Sequence, residues 1–571
     1  MQAPRPRRRA VDPAIVITIA VATAFVLVAI VWPVGAVIGT AISEEALPIF
    51  ARYLTPPQNQ ILVNTVILGL VVATVGTFVA FLLAFVQVRV PAPRLLKGLI
   101  HVVALLPIVS PPFAFAVAAI SLFGRSGIIT RDLLGLRVDI YGLPGLTLVM
   151  SLTFFPIAYI MLMGMMRALD PALDEAAANL GASRWRTFRK VNIPLLAPGI
   201  ASAFLLLFVE SLADLGNPLV LGGNFTVLSS RLYIAIIGEY NLTAGSVLAV
   251  MLLVPALVVY FVHRYYANRA SIVSVSGKPS GRPAQVASPP VRAVLLGAVL
   301  LIVGLILLLY LTILAGSLTQ LLGVNHAFTL RHFESVLFGY GLEAVTDTVS
   351  LAAVATPIAG LLGVIVAFLV VRRRFWGRGA LDFGTMLGVA IPGTIFGIGY
   401  LLAFNTPTEI FGVTIFPKLT GGASILGGAI AIVMVFVLRS APGGLRSGTS
   451  ALQQIDPSIE EAAISLGADQ QTTFRKVTLP LIKPALLAGL IYSFARSMTA
   501  ISAIIFLTTP STRIITAQIL NETDAARYGN AFAYSVILIV IVLAAIGLLT
   551  LLVGSRTKAE RAADIGATGF G

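Results

Sequence analysis

Asp170-Pro171-Ala172-Leu173-Asp174-Glu175-Ala176-Ala177-Ala178-Asn179-Leu180-Gly181 returns 286 residues later as Asp456-Pro457-Ser458-Ile459-Glu460-Glu461-Ala462-Ala463-Ile464-Ser465-Leu466-Gly467. The echo continues without a gap: Thr187-Phe188-Arg189-Lys190-Val191 corresponds to Thr473-Phe474-Arg475-Lys476-Val477, and Pro194 to Pro480. Each copy reads as a short helix. Asp stands at the N-cap and Pro at the first helical position, where a missing N–H is harmless. Asp174 and Glu175, or Glu460 and Glu461, fall in the first turns, where the helix dipole favours negative charge. Gly181 or Gly467 supplies the left-handed residue that ends the helix. The alanines between leave a low-relief face that a partner protein can approach closely.

Outward from these copies the chain is apolar. Of its residues 58% are hydrophobic and 11% charged, and the mean hydropathy is +0.97, whereas soluble domains run nearer a quarter charged. A spanning helix needs roughly 20 apolar residues. Stretches of that kind fall near 14–42, 61–88, 98–122, 143–167, 194–221 and 242–263, then near 293–318, 345–371, 380–403, 424–439, 480–507 and 530–554. The fold class expected is an all-α polytopic membrane protein of about twelve transmembrane helices, arranged as two parallel repeats of six. The first transmembrane domain then covers 1–263 and the second 293–571, with a Pro-, Gly- and Ser-rich linker at 264–292. The stretch 14–42 follows Arg5, Arg7, Arg8 and Arg9 but is too long for a cleaved signal core, so it reads as a retained span.

Charges are sorted by side. Arg372-Arg373-Arg374 and Arg556, Lys558 and Arg561, with the N-terminal arginines, lie where both termini and the linker would be cytoplasmic. The net charge of +15 is thereby a matter of topology, and no nucleic-acid partner is needed. Cysteine is absent, which removes disulfides and thiolate metal sites. His101, His263, His326 and His332 lack metal-ligand spacing, and Met161, Met163, Met165 and Met166 read as packing; no metal or cofactor is expected. No Gly-x-x-x-x-Gly-Lys-Ser/Thr phosphate loop occurs, so any ATP chemistry belongs to another subunit.

With both copies and the later elements Val191-Asn192-Ile193-Pro194 and Val477-Thr478-Leu479-Pro480 in view, the chain resembles fused permeases of ABC importers of the type I, MetI-like fold. The resemblance implies that Glu175, Ala176, Ala177 and Gly181, and Glu461, Ala462, Ala463 and Gly467, belong to coupling helices that dock into cytoplasmic ATPase subunits, two copies per fused chain. It also implies a periplasmic or lipid-anchored solute-binding protein, the bacterial inner membrane as location, and no catalysis by this chain.

Cargo is read from Glu210-Ser211-Leu212-Ala213-Asp214-Leu215-Gly216-Asn217-Pro218, continuing to Leu221-Gly222-Gly223-Asn224, and from Ala495-Arg496-Ser497-Met498-Thr499-Ala500-Ile501-Ser502-Ala503. Both are similar to fused permeases of ferric iron importers; thiamine, phosphonate, polyamine and sugar phosphate importers are built alike and remain alternatives. An ion-coupled secondary transporter with parallel repeats fits the topology but leaves two coupling-type helices without a purpose. Within the membrane, Glu210, Asp214 and Arg496 are candidate pathway residues. The displacement of 286 carries Glu210 onto Arg496, so a gate-like ion pair between them is expected across the pseudo-two-fold axis, with Asp214 as the alternative partner for Arg496.

Overall fold

Apolar runs set the helices of this chain, and at two places prolines break them. The computed structural model describes residues 13–269, 285–286, 288–339, 341–410 and 412–567. Arg5, Arg7, Arg8, Arg9 and most of the expected linker, Ser280 included, lie outside the described residues. The first half carries nine helices that matter here: α1 (Ile15–Ala41), α2 (Gln60–Arg89), α3 (Arg94–Leu105), α4 (Ala114–Phe123), α5 (Leu143–Ala168), α6 (Pro171–Asn179), α7 (Ile193–Ala213), α8 (Leu228–Gly238) and α9 (Leu242–Arg269). The second half repeats them in order: α10 (Pro289–Leu318), α11 (Leu342–Arg372), α12 (Arg378–Ala390), α13 (Gly393–Phe404), α14 (Ala429–Gln454), α15 (Pro457–Ser465), α16 (Leu479–Thr499), α17 (Ile515–Asp524) and α18 (Tyr528–Ala567). Two small antiparallel hairpins, β1–β2 (Thr319–Leu321 and Asn325–Phe328) and β3–β4 (Thr408–Ile410 and Val413–Phe416), add little. Among the described residues, eleven helices are long and apolar enough to span a membrane, α4 counted with its continuation to Leu133, or twelve if the bent pair α12–α13 is one span.

Several spans differ from the sequence reading. The stretches 98–122 and 380–403 are not continuous helices. In the first, α3 ends and the chain turns through Pro107, Pro111 and Pro112 before α4 begins; in the second, α12 and α13 meet at Pro392 with a bend of 106°. Proline lacks an N–H and pushes the preceding residue out of the helical region. Ser110 and Ile391 accordingly have extended backbone, with ψ of 149° and 128°. The stretches 194–221 and 480–507 also stop early, α7 at Ala213 and α16 at Thr499. The residues after them, Asp214 and Ala500, are 286 apart and share one extended conformation, ψ 132° and 135°. Asp214 accepts from the Asn217 N–H (3.3 Å) and Nδ2 (2.8 Å), a local bond that competes with the helical ladder. The span expected at 424–439 instead continues to Gln454.

Each half is built on three mutually packed helices, α2, α5 and α7 in one and α11, α14 and α16 in the other. Small residues bring the backbones close, as membrane helices require: a Cβ on Gly363 would sit 2.7 Å from the Leu445 nitrogen of α14. The first helix of each half leaves its own core. The α1 helix packs on α11, α12 and α13, and the Tyr400 hydroxyl donates to the Ala29 carbonyl at 3.1 Å. Reciprocally, α10 packs on α2, α3 and α4, where the Tyr310 and Ser110 hydroxyls are hydrogen-bonded and the Phe115 ring meets Tyr310 edge-on at 5.1 Å. The halves of the sequence are thus clasped together in space.

Candidate functional site: two clamped interfacial helices and an inter-half ion pair

The two short repeat helices, α6 and α15, are capped alike. Asp170 accepts from the Ala172 N–H at 3.0 Å, and Asp456 from the Ser458 N–H at 2.9 Å. The latter bond holds the Asp456 carboxyl below its ordinary range. At the other end, Gly181 (φ 78°) and Gly467 (φ 92°) are left-handed. The N–H of the residue after each closes back five residues, Ala182 to Ala177 at 3.0 Å and Ala468 to Ala463 at 3.1 Å. This is the Schellman ending that glycine permits.

Within the acidic pairs, one member is tied down and one is free. Asp174 is buried, ion-paired with Arg89 from the end of α2, and accepts from Asn192 Nδ2 at 3.1 Å. Glu460 pairs with Arg372 from the end of α11 at 3.2 Å and accepts from the Thr478 hydroxyl at 3.0 Å. Glu175, Ala176, Glu461 and Ala462 are exposed, and Ala177 and Ala463 are half-buried. The acids named with the alanine motif therefore point outward, and their neighbours anchor the helix. Around them Leu180 and Leu466 stand 88% and 89% exposed.

Sequence reasoning gave Arg89 no role, took Arg372 only as a topology charge and quoted Asn192 and Thr478 only within the element before the proline, so it missed the clamp they make. Asn192 and Thr478 keep the displacement of 286, but Arg89 and Arg372 are 283 apart, so the repeat alignment does not superimpose the two arginines. An arginine closing the second span of each half was the available signal.

Eighteen residues beyond Asn192 along α7 stands Glu210, and eighteen beyond Thr478 along α16 stands Arg496, about 27 Å at the helical rise. Arg496 Nη2 lies 3.2 Å from both carboxylate oxygens of Glu210. Asp214, offered as the alternative partner, is buried and bonded to Asn217 instead. The pair lines a cavity of about 60 Å³ where the halves meet, with Asp214, Arg439, Thr499 and Ser502. Sequence reasoning also missed Arg439, at the very end of the stretch read as the tenth span.

Three of the four histidines meet structural partners: His101 meets the Tyr159 hydroxyl at 2.8 Å, His326 Nε2 accepts from the Gly323 N–H at 3.2 Å, and His332 meets Asn530 at 2.9 Å and the Thr319 carbonyl at 3.0 Å.

The family described as binding-protein-dependent transport system inner membrane component matches the chain twice, over 76–272 and 359–557. The chain is 35% identical over 518 residues to a ferric transport system permease protein, FbpB, of Actinobacillus pleuropneumoniae, covering 88% of this chain and 73% of that protein. It is 34% identical over 466 residues to a ferric transport system permease protein FbpB 1 of Haemophilus influenzae described as putative, covering 80% and 71%. A sulfate transport system permease protein, CysT, of Salmonella typhimurium is 35% identical over 214 residues, 37% of this chain and 73% of that protein.

Proposed function

The chain belongs to the binding-protein-dependent transport system inner membrane components, and from that premise we propose that it forms the whole translocation pathway of an ATP-driven ferric iron importer. It is a multi-pass, non-catalytic permease subunit of an ABC transporter. The proposal adds the cargo, the stoichiometry and the residues. The observation that carries it is the duplicated clamp: two outward-facing helices of identical capping, each fastened through a buried or half-buried acid to the foot of a long helix whose far end carries one partner of the Glu210–Arg496 pair.

In this reading α6 and α15 are the coupling helices, and Glu175, Ala176, Ala177, Gly181, Glu461, Ala462, Ala463 and Gly467 form the surfaces that meet two ATPase copies. Both helices, both termini and the 264–292 linker face the cytoplasm. A solute-binding protein delivers cargo to the opposite face, and Glu210–Arg496 closes the pathway between the domains 1–263 and 293–571. Ferric iron is supported by the two relatives that span most of this chain; the sulfate relative corresponds to a shorter part of it.

The test is reconstitution in vesicles with the cognate ATPase and binding protein. ATP-dependent uptake of radiolabelled ferric iron is expected, without uptake of labelled sulfate. Sulfate uptake in place of iron overturns the cargo, and uptake driven by an ion gradient without the ATPase overturns the importer reading.

A further inference from the structure

Arg439 brings to the inter-half cavity a second guanidinium that the Glu210–Arg496 pair does not account for. It stands on α14, and among the described residues its one hydrogen bond runs from Nη1 to the Ile391 carbonyl at 3.3 Å. A guanidinium carries five N–H donors, so most of this fork has no protein acceptor. The equivalent position in the first half is Thr153, whose hydroxyl donates to the Val149 and Pro112 carbonyls at 2.8 and 3.4 Å. A hydroxyl is enough to steady the break between α3 and α4, and the arginine exceeds that need at the matching break between α12 and α13. On the acidic side, Asp214 is engaged by Asn217. Glu210 bonds to Arg496 and lines the same cavity as Arg439. Two guanidinium forks facing one cavity, one of them met by a carboxylate, have the chemistry of an oxyanion receptor.

We infer that Arg439 and Arg496 form a receptor for an oxyanion group carried by the cargo, its Arg496 side held in this structure by the chain's own Glu210 carboxylate. This rests on the importer reading above and narrows its substrate class. The forks of Arg439 and Arg496 offer a bare trivalent cation no ligand, since a guanidinium only donates, and the two carboxylates of the cavity, Glu210 and Asp214, are already engaged. A metal ion wrapped in carboxylate, carbonate or phosphate ligands presents oxygens that compete with Glu210, and its arrival releases the gate.

The experiment uses the purified permease–ATPase complex, with binding followed by calorimetry and inorganic phosphate, citrate and ferric citrate as probes. Glu210→Gln removes the internal competitor while keeping its size, and phosphate should bind at least tenfold more tightly than to the native complex. Adding Arg439→Gln should abolish that gain, and adding Arg439→Lys, which keeps the charge and loses the fork, should keep part of it. No gain in Glu210→Gln, or a gain that survives Arg439→Gln, overturns the receptor. Should Glu210→Gln not assemble, phosphate at matched ionic strength should raise the unfolding temperature of the native complex and not that of Arg439→Gln; equal rises overturn it. Ferric citrate binding more tightly than citrate assigns the oxyanion to a metal complex, and equal binding assigns it to a free oxyanion; either supports the receptor. Native vesicles that take up no iron, with phosphate binding intact, remove the ferric reading and leave the receptor standing.

Discussion

Leu180 and Leu466 occupy the same point of the two repeat helices and are almost wholly exposed, on elements with one acid each pinned from behind. Apolar side chains held out in pairs at corresponding places fit a partner surface better than chance exposure. Leu180→Ser with Leu466→Ser should therefore leave stability within about 0.5 kcal/mol while weakening ATPase capture by about tenfold, the effect of removing a modest interface anchor, read by co-purification titration. The buried acid behaves oppositely. Asp174→Ala breaks a buried pair and should cost about 3–5 kcal/mol in detergent unfolding, whereas Glu175→Ala, on the exposed face, should cost almost nothing there. At the proposed gate, Glu210→Arg and Arg496→Glu should each impair transport and their combination restore part of it; additive losses with normal expression would argue against a direct pair. The sequence pointed to Glu210 and Arg496 because one displacement superimposes them. It hid Arg439 because its counterpart is an uncharged Thr153. It hid Arg89 and Arg372 because their acids lie 85 and 88 residues away, and the three-residue difference breaks the register of the repeat.

The interfacial helices were legible at the level of the element because every signal that makes them is local: the capping Asp, the Pro after it and the closing Gly lie within twelve residues. The broken spans were not, since hydropathy stays high through Pro107–Pro112 and through Pro392, and an apolar run carries no information on direction. A single proline was no sign, since α5, α7, α9, α11, α14 and α16 each run through one; the cluster of Pro107, Pro111 and Pro112 was the readable one. A Cβ on Gly181 or Gly467 would meet nothing within 4 Å, so a substitution there acts through the backbone alone. Gly181→Val and Gly467→Val should each strain the turn by about 1–2 kcal/mol, leave the spans assembled, and uncouple ATP hydrolysis from uptake in reconstituted vesicles. Gly181→Asn should be tolerated, because asparagine adopts the left-handed region more readily. Unchanged transport in the double valine variant would reduce these helices to connectors.

For the whole molecule, the reciprocal packing of α1 and α10 predicts that two co-expressed fragments cut within the linker should co-purify from membranes, each holding the other's first helix. Topology can be read with single cysteines against a background of none. Thr420, a loop position by sequence, is fully buried and unsuited to labelling; Ala423, three residues on, is exposed. An impermeant thiol reagent should reach Ala423→Cys from outside intact cells and Ser465→Cys only after permeabilisation, with the second protected when the ATPase binds. Labelling of both from one side would refute the arrangement. The long helices α7 and α16 carry a mechanical consequence. Each is a connecting rod, pinned at its foot to an interfacial helix and bearing one jaw of a latch at its tip. With α6 and α15 as the proposed coupling helices, a latch whose jaws ride on separate rods would slip when either rod shifts by a bond length or two, so a single power stroke on one side should spring it, and both rods should have to return before it catches again.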